Sequence, residues 1–205
     1  MNLLKVIKDV LFNPIYFFEN VRKQKGIKIA FLYLTILALI AVILVQTVGR
    51  FLQSYTYIIV SKIYGFSFPK PQYTFGILIL MSVAGYLFTL LSSFIIAGLL
   101  HIWILIFGGK ADYTKTYQLY VYSLTPRFLF GWIPFISYLA WFYYIILLIV
   151  GTQQLHGISK TRAILMYFIP VGILIIIYLV MFGFSMAMFK TVGPSILKNL
   201  TMPRT

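Results

Sequence analysis

Long apolar runs broken by short polar segments dominate this chain. It opens differently. Leu3, Leu4, Ile7, Val10 and Leu11 fall on one helical face, with Lys5, Lys8 and Asp9 opposite. That spacing predicts a helix lying in the headgroup plane of a membrane. Asn13-Pro14 then reads as an N-cap followed by proline at the first helical position. The second short helix, "PIYFFENVRKQK", is expected to stop at Gly26. Residues 1–28 are expected to form an amphipathic, cytosolic membrane-surface segment.

Five spans are expected after it. Ile29–Gly49 holds no charge and slightly exceeds the ~20 residues needed to cross a bilayer. Apolar character continues past Arg50 through "FLQSYTYIIV", so this helix is expected to project beyond the bilayer. Pro69 and Pro71 mark a hairpin between Gly65 and Thr74. The run Phe75–Phe107 would be roughly 50 Å long as one helix, against ~30 Å of hydrocarbon. It either projects like its neighbour or bends at Gly85 or Gly98. Ser93 and Ala97 offer a small-residue face for contact between the first two spans.

The stretch "FGGKADYTKTYQLYVYSLTPR", Phe107 to Arg127, is far more polar. Gly108-Gly109 should end the second span, since glycine accepts the left-handed residue that closes a helix. Asp112 or Thr114 can cap the next helix. That third span, Tyr113 to Phe130, carries Gln118, Ser123 and Thr125, so it suits a bundle interior better than lipid. Pro126 should bend it. Gly131, Trp132 and Pro134 make a short turn. A fourth span, Phe135–Val150, leads to the polar loop "GTQQLHGISKTR". The fifth runs from Ala163 to about Phe189 with Pro170 inside it. The expected organisation is therefore 1–28 surface segment, 29–190 transmembrane domain and 191–205 short tail.

Composition fixes the class. Of 205 residues, 61% are hydrophobic and 10% charged, where a soluble domain shows roughly 45–50% and about 25%. The expected fold is an all-α polytopic membrane helix bundle. The net charge of +14 would suggest nucleic acid in a soluble protein. Here the positives sit beside apolar runs, where loop bias and anionic headgroups account for them, so no nucleic-acid partner is expected. With the N-terminus inside, Lys5, Lys8, Arg22, Lys23, Lys25, Lys28, Lys110, Lys115, Lys160 and Arg162 fall on the cytosolic side. Arg50, Lys62, Lys70 and three positives near the C-terminus fall outside, with Arg127 near the outer end of the third span. That asymmetry favours a cytosolic N-terminus and an outside C-terminus.

Few residues could carry chemistry. There is no cysteine, and the acids are Asp9, Glu19 and Asp112, beside His101 and His156. No H-E-x-x-H zinc helix occurs. "GFSMA", Gly183 to Ala187, faintly resembles a serine-hydrolase elbow, but that elbow needs a strand-to-helix turn and this stretch lies in an apolar helix. No catalytic residue, metal site or cofactor is expected. His101 is either a proton relay or a histidine bonded to a neighbouring polar group.

"IFGGKADYTKTYQLYVYSLTP", then "WIPFI", then "GTQQLHGISKTRAILMYFIP" is similar to the Yip family, membrane proteins named for interacting with Ypt/Rab GTPases. The resemblance is carried by Gly108, Gly109, Tyr122, Ser123, Pro126, Pro134, Gly157 and Pro170 in this order. "NPIYFF" looks like the entry of prokaryotic members. Where eukaryotic members have a glycine–tyrosine pair in the third span, this chain has Val121-Tyr122, and it resembles a bacterial or archaeal member. The family implies five spans with a cytosolic N-terminus. Its eukaryotic members are implicated in Rab recruitment and vesicle traffic.

The resulting expectation is a non-enzymatic membrane scaffold or adaptor. Its partners would be the bilayer and proteins met on a basic cytosolic face, small GTPases or membrane-organising proteins among them, with a homo-oligomer also open. Lys110, Asp112, Lys115, His156, Lys160 and Arg162 are the candidate partner-binding residues. The alternative is a small-molecule or ion transporter or channel. The location would be the cell membrane, or an endomembrane in a eukaryote.

Overall fold

The computed structural model describes residues 2–65 and 74–201. Residues 66–73, where the proline-containing hairpin is expected, and the last four residues of the tail lie outside the described residues. Every regular element described is helical. By contact the chain divides into 1–163 and 164–205.

The first unit begins with α1 (Leu3–Phe12) and α2 (Pro14–Val21). Asn2 caps α1 by accepting from the Lys5 amide at 3.2 Å. Asn13 and Pro14 take the N-cap and first helical positions of α2. The apolar face of α1 does not turn one way: Val10 is fully buried, while Leu4 is 77% exposed. Phe17, Phe18 and Val21 of α2 are buried. Tyr143 of a later helix donates to the Leu11 carbonyl. The N-terminal pair is therefore docked on protein with part of its apolar surface and leaves Phe12, Ile15 and Tyr16 uncovered.

α3 (Lys28–Leu44), a π-helical turn (Val45–Gly49) and α4 (Arg50–Tyr64) follow without a break. Together they form a 37-residue apolar helix, as the run beyond Arg50 suggested. α5 (Phe75–Ile106) is a single 32-residue helix. Tyr86 donates to the Thr35 carbonyl at 3.4 Å, and Gln46 donates to Ser82 Oγ. These bonds lie in the N-terminal part of α5, so the two long helices are neighbours.

The expected third span is not one helix. α6 (Tyr113–Ser123) and α7 (Thr125–Phe130) meet at Leu124, just before Pro126. α8 (Ile136–His156) returns, and Gly157 closes it. Gly151 allows the close approach of three elements. A Cβ there would stand 2.3 Å from Leu119 Cδ1 and 3.0 Å from the Phe18 ring. α9 runs from Lys160 to Thr201, past the boundary expected at residue 190 and through Pro170. The second unit is its portion beyond Ala163, where Leu174, Ile176 and Val180 are exposed. A helix apolar all round is at home in lipid. "GFSMA" lies within α9, where no strand-to-helix elbow exists.

By length and composition, four helices in the described residues can cross a membrane: Lys28–Tyr64, Phe75–Ile106, Ile136–His156 and Lys160–Lys190.

Candidate functional site

α6 is the polar centre of the first unit. Thr116 through Ser123 are all buried, Gln118 and Ser123 completely. A buried polar helix must find partners within the protein, and α6 finds them on the 21–26 segment, α5 and α8, with Ser123 Oγ left unpartnered among the described residues.

Towards the N-terminal segment, Lys115 Nζ donates to the carbonyls of Val21 at 3.0 Å and Gln24 at 2.5 Å. Gln118 Nε2 donates to the Gly26 carbonyl at 2.7 Å, and the Tyr122 hydroxyl donates to Gln24 Oε1 at 3.1 Å. The chain between α2 and α3 is thus held through its backbone carbonyls. Phe17 packs edge-on against Tyr122 with ring centroids 4.9 Å apart.

Towards α5, Ser93 and Ala97 are buried, but their face meets α6 rather than only the first span. The Ser93 hydroxyl donates to the Leu90 carbonyl at 2.6 Å, so the Tyr117 hydroxyl donates to Ser93 Oγ across 3.1 Å. Phe94 stacks on Tyr117 at 5.0 Å, while a tilted contact with Phe31 at 5.5 Å keeps α3 in touch with the same region.

Two histidines meet at one hydroxyl. Thr116 Oγ1 stands 2.8 Å from His101 Nδ1 and 3.1 Å from His156 Nε2. His101 is thus bonded to a neighbouring polar group. A threonine hydroxyl has one proton to give. When it donates to one imidazole, the other ring must donate to it, so the two rings hold opposite roles. His156 Nδ1 is buried with no partner. It lies 3.2 Å from where a Cβ of Gly109 would stand.

Below this chain the two polar loops meet. Phe107 ends α5 and Gly108 turns the backbone with φ +90°, a region open to glycine and costly for other residues. Asp112 caps α6 by accepting from the Lys115 amide at 3.1 Å. The Arg162 guanidinium comes within 3.9 Å of a Cβ placed on Gly108. Lys110, Asp112, Lys160 and Arg162 are exposed there. His156 and Lys115 are not part of that exposed group. His156 is 2% exposed and bonded inward, and Lys115 turns back to the Val21–Gln24 carbonyls. Burial of the last turn of α8 and the carbonyls of Val21 and Gln24 that face Lys115 explain both.

The other expected motif residues are structural. Tyr122 and Ser123 are buried in α6, and Pro126 occupies the first turn of α7. Pro134 lies in the turn before α8, and Gly157 (φ +67°) ends it. Gln24, Tyr33 and Thr116 carry much of the network but stand out little in sequence. Among the described residues, no group of three or more His, Asp or Glu stands together to hold a metal ion. The geometry can present charge, hold a loop and bridge two imidazoles.

A Yip1 domain model matches residues 8–182, from within α1 to well inside α9. No curated protein and no solved structure matches the chain.

Proposed function

The chain belongs to the Yip family of membrane proteins, and on that premise we propose that it acts as a non-enzymatic membrane adaptor that recruits proteins at the joined loops 108–112 and 157–162. The supporting observation is the approach of Arg162 to Gly108. In this reading Lys110, Lys160 and Arg162 form one basic surface with a single acid, Asp112, at the end of a largely apolar bundle. Such a surface suits a partner with an acidic face, where complementary charge speeds encounter and fixes orientation.

In this reading α6 and α7 together make the third of five crossings. The N-terminus and both polar loops are cytosolic, the C-terminus is outside, and α1–α2 rests at the cytosolic surface with Leu4 and Phe12 towards lipid. The inside-positive asymmetry supports that orientation.

The test is the triple variant Lys110→Gln, Lys160→Gln, Arg162→Gln. These side chains are exposed, so thermal stability in detergent should hold while co-purification of proteins from native membranes weakens. An unchanged set of proteins at unchanged yield defeats the adaptor surface.

A further inference from the structure

A cavity of about 650 Å³ lies among α3, the π-turn, α5, α6, α7 and the start of α8. It is separate from the joined loops. Ala38, Ala41 and Gly85 line its apolar wall, and a Cβ on Gly85 would meet nothing within 4 Å. Several polar groups around it are already committed. The Ser82 and Thr89 hydroxyls donate to the carbonyls of Leu78 and Gly85 at 2.7 and 2.8 Å, and Trp132 Nε1 donates to Leu129 at 2.7 Å.

Arg127 is different. It lines the cavity with its guanidinium 5.5 Å from the centre of the Tyr144 ring. The chain has three acids, Asp9, Glu19 and Asp112. None lines this cavity, and among the described residues none pairs with Arg127. A second cation approaches the same wall. Arg50 Nε donates to Gln46 Oε1 at 2.5 Å, and Gln46 lines the cavity.

We propose that this cavity binds an anionic lipid of the bilayer, its phosphate on Arg127 and an acyl chain along Ala38, Ala41 and Gly85. Arg127 is exposed near the end of α7, no carboxylate among the described residues pairs with it, and a headgroup phosphate supplies the counter-charge. The planar fork of arginine matches phosphate oxygens two at a time. A free anion would satisfy the charge and leave the apolar wall uncovered. A lipid satisfies both and arrives laterally from the membrane.

Native mass spectrometry of the full chain in detergent, supplied with equal phosphatidylglycerol and phosphatidylcholine, tests this. The unmodified chain should retain phosphatidylglycerol in preference by ~10-fold, as a charge-assisted contact implies. Arg127→Gln should bring that preference to within about two-fold, and Arg127→Lys, which keeps the charge and loses the two-pronged fit, should fall between the two. Gly85→Leu, which fills the cavity and leaves the arginine in place, should abolish retention of both lipids. Equal retention of the two lipids by the unmodified chain overturns the proposal, as does a full preference in Arg127→Gln or undiminished retention in Gly85→Leu. Displacement of the lipid by millimolar inorganic phosphate would mark a free-anion site and overturn it too.

Discussion

Thr125 Oγ1 donates to the carbonyl of Tyr122 at 2.6 Å. That carbonyl is the one a helical N–H at position 126 would have served, and Pro126 has none. The threonine thus repairs the break that the proline makes. Its single proton being used, Tyr33 must donate to Thr125 Oγ1 across 2.8 Å, which ties α3 to the α6–α7 junction. A bend read from one proline is therefore also a joint between helices.

Thr125→Val should leave the Tyr122 carbonyl and the Tyr33 hydroxyl unpaired and destabilise the chain by about 2–4 kcal/mol. Thermal unfolding in detergent checks it. Tyr33→Phe added to that variant should cost less than it does alone, because its partner is already gone. Strict additivity would separate the two groups.

Gly151→Ala should be destabilising by about 1–3 kcal/mol through overpacking, since the new Cβ meets Leu119 and Phe18, both fully buried. Leu119→Ala in the same chain should relieve part of that cost. A double variant no better than the sum of the singles would place the clash elsewhere.

Lys115→Met keeps the aliphatic stem and removes the donor to Val21 and Gln24. It should cost about 1–3 kcal/mol and speed proteolysis between residues 21 and 28. Lys110→Met, at an exposed position, should stay within about 0.5 kcal/mol. Equal behaviour of the two would remove the distinction between an anchoring and a presented lysine.

The five-crossing orientation predicts that a reporter active only in the cytosol works when inserted at Gly109 and is silent when fused after Thr205. Activity at both positions would require an even number of crossings between them.

Hydrophobic run length alone determined that this is a helical membrane protein, because backbone groups in lipid must be satisfied within a helix and only ~20 apolar residues are needed to cross. Local backbone chemistry was equally readable. Asn13-Pro14, Gly108 and Asp112 start or stop helices through their own conformations and side chains, without help from distant residues. The burial of Gln118 and Ser123 followed as well, since polar groups avoid lipid. Partners did not follow. Nothing local distinguishes Lys115, drawn back to carbonyls some ninety positions earlier, from the exposed Lys110. The meeting of His101 and His156 on Thr116, the turn of Ser93 towards Tyr117 and the cavity at Arg127 all join separate helices. Each depends on which faces pack together, and only the tertiary structure decides that.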